Sequence, residues 1–183
     1  MFEEIKMRNI LKNRTALSTV VTTLIILVVS VLLAGVVTYF AINITSTRVQ
    51  EESLHLTKQH VWHNTSQAQA ALMVTNTGGR DVVIDKIAVR GQNSPWANVW
   101  YNITSTPPTT DFSFDNAIAD ATATVGDYKN TTTNIVLPSG QTLLMYINKP
   151  DSISVNDIGL TVAISVFSAQ AIYYKETNIQ AAV

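Results

Sequence analysis

A long stretch without charge constrains this chain more than any other feature. No Asp, Glu, Lys or Arg lies between Arg14 and Arg48, and residues 20–40 consist largely of Val, Leu, Ile, Ala and Thr. A helix of roughly 20 apolar residues can cross the hydrocarbon core of a bilayer. The stretch is also longer than the roughly 7 to 15 apolar residues of an ordinary secretory signal. We therefore predict a membrane-spanning helix.

The charges on either side of this helix predict its orientation. Four Lys and Arg residues lie in the first 14 positions, whereas Arg48 is followed closely by Glu51 and Glu52. Because basic flanks stay on the cytoplasmic side of a membrane, we expect the N-terminus inside and the remainder of the chain outside.

The helix is predicted to continue beyond the membrane surface. No Pro or Gly occurs in residues 41–61, and residues 47–60 combine mixed charge with a weak amphipathic stripe. We predict one helix over residues 17–62, about twice as long as the hydrocarbon core is thick.

Strand-forming residues dominate the rest of the chain, from about residue 67. Short Val-, Ile- and Thr-rich runs alternate with turn residues. The turns at residues 77–80 (Thr-Gly-Gly-Arg) and 138–141 (Pro-Ser-Gly-Gln) each predict a β-hairpin, and residues 105–133 are predicted as surface loop. We expect an antiparallel, Ig-like β-sandwich of about seven strands over 67–183. With the N-terminal helix, the fold class is α+β.

Composition and motifs exclude several function classes. The net charge of −1 provides no basic surface for nucleic acid, and the absence of Cys excludes disulfides and thiolate metal sites. No Gly-x-Ser-x-Gly nucleophile motif and no Gly-rich phosphate loop occurs. We predict a protein that is not an enzyme, with no cofactor, no metal site and no nucleic-acid partner.

The order of these segments resembles the archaeal type IV pilins, over the whole chain. The likeness rests on the basic leader, the junction Arg14-Thr15-Ala16-Leu17-Ser18-Thr19, the uncharged helix and the Thr- and Gly-rich β domain. Two local motifs add to it: Leu72-Met73-Val74-Thr75-Asn76-Thr77-Gly78-Gly79, and the later Leu137-Pro138-Ser139-Gly140-Gln141.

The resemblance implies a class III signal peptide, in which a prepilin peptidase removes residues 1–16 by cutting between Ala16 and Leu17. The mature helices would then bundle in the core of an extracellular filament, which a membrane assembly platform builds, and the β domains would form its outer shell. Bacterial type IV pilins usually carry Glu as the fifth mature residue. Here that position is Val21. The archaeal pilins commonly lack the Glu.

Five asparagines stand in the Asn-x-Ser/Thr pattern that marks N-glycosylation. They are Asn13, Asn43, Asn64, Asn102 and Asn130. Asn13 lies in the leader, on the cytoplasmic side, and Asn43 lies in the helix. The other three are expected near exposed loops outside the cell, where a glycan is tolerated. The alternative is that a Thr- and Asn-rich sequence forms the pattern by chance.

Two further residue groups have a functional and a structural interpretation. His60 and His63 have the i, i+3 spacing that could place two metal ligands on one helical face, but a metal site would want a third ligand. We therefore interpret these two and His55 as solvated residues near the helix end. Trp96 and Trp100 with Tyr101 could form an adhesive patch, but we favour the β-domain core.

Three functions remain open at this point. The leading one is the major subunit of an adhesive pilus. An archaellin-type filament subunit is its close relative, and a monomeric, signal-anchored extracellular binding protein is the alternative from another class. Removal of the leader would distinguish the filament proteins from the tethered one.

Overall fold

The structure is a computed structural model that describes residues 14–121 and 124–182. Its internal contacts divide the chain between Arg48 and Val49 into a helical unit and a β unit. Most of the predicted leader, residues 1–13, lies outside the described residues.

The helical unit contains one long helix, α1 (Arg14–Gln50), of 37 residues. Its predicted presence is confirmed, but its predicted end near residue 62 is wrong. The chain leaves the helix after Gln50 and enters a strand, β1 (Leu54–His63).

Pairing within the sheet explains this error. Leu54 and Leu56 are buried at alternate positions of β1, which pairs antiparallel with the next strand from Leu54↔Asn76 to His63↔Ala68. Tertiary contacts of this kind override a modest helix propensity. The β unit therefore includes residues 54–63 and does not begin near residue 67.

The described residues form ten strands. After β1 they are β2 (Ala68–Asn76), β3 (Val82–Val89), β4 (Gln92–Ser94), β5 (Val99–Thr104), β6 (Lys129–Asn130), β7 (Ile135–Leu137), β8 (Thr142–Asn148), β9 (Thr161–Ser168) and β10 (Ile172–Ala181). Short helical turns occupy Trp96–Asn98, Val155–Asp157 and Asn116–Ala119, the last of which is α2.

These strands form one mixed sheet in the order β4-β3-β9-β10-β1-β2-β8-β5-β6, with β7 also paired to β3. The sheet curls into a half-barrel, so the α+β class is confirmed. The finer expectation of about seven antiparallel strands is corrected, because β1 and β10 run parallel from Val61↔Ile179 to His63↔Ala181. This pairing depends on β1, the segment that the sequence assigned to the helix.

Curling brings the two halves of the sheet onto a common core. Leu72 of β2 and Met145 of β8 come from one half, and Ile84 of β3 and Ile164 of β9 from the other; all four are fully buried in a single cluster. The β unit thus possesses a complete hydrophobic core of its own.

Neither predicted hairpin forms. β2 pairs with β1 and β8, whereas β3 pairs with β4, β7 and β9, so the Gly-Gly segment carries the chain from one half of the sheet to the other. The Pro-Ser-Gly-Gln segment crosses back between β7 and β8. A two-residue hairpin lies instead at Arg90-Gly91, between β3 and β4, where both φ angles are positive (51° and 78°) as this turn requires.

The two crossing segments bind each other through Asn76, which is fully buried. Its side-chain nitrogen Nδ2 donates to the backbone carbonyls of Arg80 (2.8 Å) and Leu137 (3.1 Å). The backbone carbonyl of Asn76 accepts from the backbone N–H of Gly140 (3.0 Å). The hydroxyl of Ser139 also donates to the carbonyl of Gly78 (2.6 Å). Two motifs far apart in sequence therefore form one structural corner.

Candidate functional site

The outer surface of α1 is apolar on every side. Each large apolar side chain from Leu17 to Ile44 is between 45% and 72% exposed within this chain. A soluble helix normally buries one apolar stripe and shows a polar face, whereas a helix that is apolar all round belongs in a core or a membrane.

Five hydroxyl groups in this helix are satisfied by the helix itself. Thr22, Ser30, Thr38 and Thr47 each donate to the carbonyl four residues earlier, at 2.7–2.9 Å, and Thr23 donates to the carbonyl of Val20 at 2.9 Å. Side-chain hydroxyls bound in this way need no partner outside the helix, so these polar residues do not oppose transfer of α1 into lipid.

Length and hydropathy agree with this conclusion. Residues Leu17–Thr47 form a 31-residue span with a mean hydropathy of 2.9 in its best window, and none of that window is buried. At 1.5 Å per residue the span is about 46 Å long, which exceeds a hydrocarbon core of about 30 Å. The helix is of the kind that anchors or targets a protein to a membrane.

The predicted cut site lies at the beginning of this helix. Both Ala16 and Leu17 belong to α1, and the side chain of Leu17 is 72% exposed. A cut between them would leave a chain whose first 31 residues contain no Asp, Glu, Lys or Arg.

The predicted glycan acceptors lie in four different environments. Asn43 is exposed on α1, Asn64 lies in the turn between β1 and β2, Asn102 lies on β5, and Asn130 ends β6. Of the three expected near loops, only Asn64 lies outside a regular strand.

Asn64 closes its turn with its side-chain oxygen. Oδ1 accepts from the backbone N–H groups of Ser66 (2.8 Å) and Gln67 (2.7 Å) and from the Ser66 hydroxyl (3.1 Å). The backbone N–H of Asn64 donates to the carbonyl of Gln67 at 3.0 Å. Within the described part of the chain, Nδ2 of Asn64 has no hydrogen-bond partner.

Asn130 uses the opposite end of its amide. Its Nδ2 donates to the carbonyls of Trp96 (3.4 Å), Ala97 (2.8 Å) and Val99 (3.0 Å). The side chain therefore fastens the short strand β6 to the beginning of β5.

The histidines lie on β1, so their predicted position near a helix end is wrong. His60 stacks on Trp62, with ring centroids 5.1 Å apart, and its Nε2 lies 3.1 Å from Oδ2 of Asp111. Partial desolvation raises the pKa of Asp111, but hydrogen bonds from His60 and the backbone of Phe112 outweigh it, so this pKa lies below its usual value. His60 therefore holds a loop in place.

A second aromatic cluster lies beneath that loop. Trp62, Trp100, Ile118 and Tyr146 are buried together, and Phe112, Phe114 and Tyr128 pack around them. The described parts of the predicted surface loop, residues 105–121 and 124–128, thus cover one face of the sheet. Burial raises the pKa of Tyr146, helped by Tyr128 and Asp115. The core interpretation of the tryptophans is confirmed, since Trp100 is 3% exposed and Trp96 packs on the main core.

Beside the Asn64 turn lies an open cleft of about 220 Å³. Its lining includes His63, Gln67, Lys149 and Asp151. In the described residues, no group of three or more His, Cys, Asp or Glu side chains could hold a metal ion. The cleft offers polar contacts without a recognisable catalytic arrangement.

Comparison with known proteins assigns no family. No protein-family model matches this chain, and no curated protein sequence does. The solved structures that resemble it include the ligand-binding region of serine-glutamate repeat protein A of Enterococcus faecium. That structure shares 11% identity and covers 73% of this chain and 99% of its own length, with a TM-score of 0.32. At that TM-score the likeness supports no functional conclusion.

Proposed function

We propose that this protein is the structural subunit of an archaeal type IV pilus, which polymerises through α1 and displays the β unit outside the cell. The observation that carries the proposal is that one chain contains two units that differ in how they bury their apolar side chains. The β unit has a complete core, whereas the helical unit exposes apolar side chains on all sides.

Exposure of that helix to water is energetically unfavourable. Burying an apolar side chain of this size contributes roughly 1.5 to 3 kcal/mol relative to water. Lipid can cover the helix in the precursor, which is held in the cytoplasmic membrane with its N-terminus inside. Copies of the same helix can cover it in a filament, so one apolar surface serves both states.

Processing would connect the two states. The basic leader holds the N-terminus at the cytoplasmic face, and its removal between Ala16 and Leu17 would leave a helix end without charged side chains. The partners are thus a prepilin peptidase, the pilus assembly platform and further copies of this chain. In the assembled pilus the β units would face the environment and serve adhesion.

The two family motifs also take on a physical role in the β unit. The Asn-Thr-Gly-Gly and Leu-Pro-Ser-Gly-Gln segments meet at Asn76, where they join the two halves of the sheet. One corner of the fold therefore gives both segments a structural role.

The N-terminal residue of assembled protein tests the proposal. Filaments are sheared from cells, pelleted from the medium and analysed by mass spectrometry. We expect the chain to begin at Leu17. Uncleaved protein that is found only in membranes would contradict the proposal and favour the tethered binding protein.

A pair of variants sharpens the test. Ala16→Leu places a bulky side chain where we expect the peptidase to need a small one, so uncleaved precursor should accumulate in the membrane. Val20→Leu, on the other side of the cut, should be processed and assembled normally. Equal processing of both variants would argue against a cut at this position.

A further inference from the structure

The acceptor patterns are not equivalent once their atoms are compared. N-glycosylation joins a glycan to Nδ2 of asparagine, so this nitrogen must be available. We propose that Asn64 is the N-glycan acceptor of the β unit, and that Asn130 is a structural residue despite its matching pattern.

At Asn64 the atom that reacts and the atom that holds the fold are different. Oδ1 accepts three hydrogen bonds from Ser66 and Gln67, which fixes the orientation of the amide, while Nδ2 has no partner among the described residues. Glycosylation leaves Oδ1 unchanged, so all three bonds persist. The flanking Thr65 and Ser66 are exposed, which leaves room for a glycan.

The hydroxyl that completes the pattern also lies in contact with the acceptor amide. The Ser66 hydroxyl is 3.1 Å from Oδ1 of Asn64. In an extended strand, side chains two residues apart share a face but are separated by about 6.6 Å along the chain. Asn102 and Thr104 on β5 have this spacing, and both pair with β8.

Asn43 fails for a similar reason. On a helix with 3.6 residues per turn, side chains two positions apart point about 200° apart around the axis. Thr45 therefore lies nearly opposite Asn43 on α1. Among the patterns within the described residues, only the Asn64 turn shows a hydrogen bond between the acceptor amide and its hydroxyl.

At Asn130 the reactive nitrogen is already committed. Nδ2 donates to three backbone carbonyls in residues 96–99. A glycosylated amide keeps one N–H and carries a sugar in place of the other. The sugar would therefore break hydrogen bonds from Nδ2 to these carbonyls, which fasten β6 to the beginning of β5.

The reaction requires a glycosyl donor in which the glycan is bound through phosphate. A new bond forms between Nδ2 of Asn64 and the anomeric carbon of the donor. The bond from that carbon to the phosphate oxygen breaks, the phosphate leaves with the bonding electrons, and one Nδ2 proton is released. The modification requires only that the β unit is exported, and it does not depend on filament assembly.

Mass spectrometry of protein from its own cells tests the assignment directly. Cleavage after Lys and Arg places each acceptor on a separate peptide. Asn43 lies on 15–48, or on 17–48 once the leader is removed, Asn64 on 59–80 and Asn102 on 91–129. Asn130 lies on 130–175, because the Lys149-Pro150 bond resists cleavage. We expect an added glycan mass on peptide 59–80 and none on 130–175.

Each other result has a defined meaning. An unmodified 59–80 peptide overturns the proposal, whichever other peptide carries a glycan. A glycan on both 59–80 and 130–175 retains Asn64 as an acceptor and overturns the structural assignment of Asn130. A glycan on both 59–80 and 91–129 overturns the proposal that Asn64 is the single acceptor of the β unit.

Three variants separate the pattern from the fold. Asn64→Gln and Ser66→Ala should both lose the added mass, while Ser66→Thr should keep it because the pattern accepts either hydroxyl residue. Ser66→Ala retains the Asn64 bonds to two backbone N–H groups, so the protein should still fold. Persistence of the mass on 59–80 in Ser66→Ala would exclude N-glycosylation at Asn64.

Discussion

The two units of this molecule use the same apolar residue types in opposite ways. Leu32 in α1 is 64% exposed, whereas Leu72 in β2 is fully buried. The β unit buries most of its apolar side chains in a core of its own. The helical unit leaves its apolar side chains exposed, as expected of a helix that lipid or further protein would cover.

Polar groups show the same contrast. In α1, hydroxyls bond to carbonyls three or four residues away. In the β unit, buried amides bond across long stretches of sequence: Gln69 Nε2 donates to Asn148 Oδ1 at 3.0 Å, and Asn76 Nδ2 donates to the carbonyl of Leu137. The helix thus completes its hydrogen bonds locally, whereas the β unit requires its whole fold.

The largest expected effect comes from a charge placed in the helix. Leu32→Lys costs about 2.5 to 3.5 kcal/mol at the centre of an apolar helix. In a filament core each copy would bury an unpaired charge, so we expect filament yield to fall at least tenfold while precursor remains in the membrane. Filament in the sheared fraction, measured against membrane-bound precursor, checks this.

The control places the same charge on an exposed apolar residue of the β unit. Val136 on β7 is 51% exposed. Val136→Lys should leave membrane retention unchanged and should alter stability by no more than about 0.5 kcal/mol. If Val136→Lys abolishes filaments and Leu32→Lys does not, assembly depends on the β unit and the proposed role of α1 is wrong.

A matched pair of truncations gives the next largest effect. Leu72→Ala leaves a cavity in the β-unit core and should reduce the free energy of unfolding by about 2 to 5 kcal/mol. Leu32→Ala should not change that quantity. All three tryptophans lie in the β unit, so their fluorescence during urea denaturation reports on that unit alone.

The pair also tests whether the β unit is independent. If Leu32→Ala lowers the tryptophan-detected stability as much as Leu72→Ala does, then α1 contributes to the stability of the β unit. The β unit would then not fold independently of the helix.

Sequence predicted the elements that depend on local pattern. The uncharged run predicted α1, and the Val-, Ile- and Thr-rich runs predicted a strand-rich unit in the rest of the chain. Residues 54–63 were assigned to the helix because their apolar pattern is weak, and their strand conformation depends on β2 and β10, which follow later in the chain. The turn signals marked where the chain reverses without indicating which strands would pair.

The candidate site residues were also predictable only as far as local sequence determines them. The acceptor pattern identified Asn64 and Asn130 equally, since it contains only local information. Their distinction depends on carbonyl groups in residues 96–99, more than 30 positions before Asn130. Likewise, nothing in the sequence marked Asp111 as the partner of His60, because a bulge in β1 and the packing of Phe112 and Phe114 bring them together.

The smallest predicted effect compares two glycines. A Cβ added at Gly78 would lie 2.5 Å from the carbonyl oxygen of Glu51 and 2.8 Å from the backbone nitrogen of Ser53. Because these are backbone atoms, the chain must shift, and we expect Gly78→Ala to cost about 1 to 3 kcal/mol. A Cβ at Gly35 meets no atom of the described chain within 4 Å.

Gly35→Ala should therefore leave the unfolding midpoint of the β unit unchanged, while Gly78→Ala should lower it. Replacing Gly with Ala within a helix is itself favourable by about 1 kcal/mol, so α1 should gain helicity if it changes at all. Circular dichroism and tryptophan fluorescence separate these responses. If Gly35→Ala lowers the unfolding midpoint, or if Gly78→Ala leaves it unchanged, then close backbone packing does not distinguish the two units.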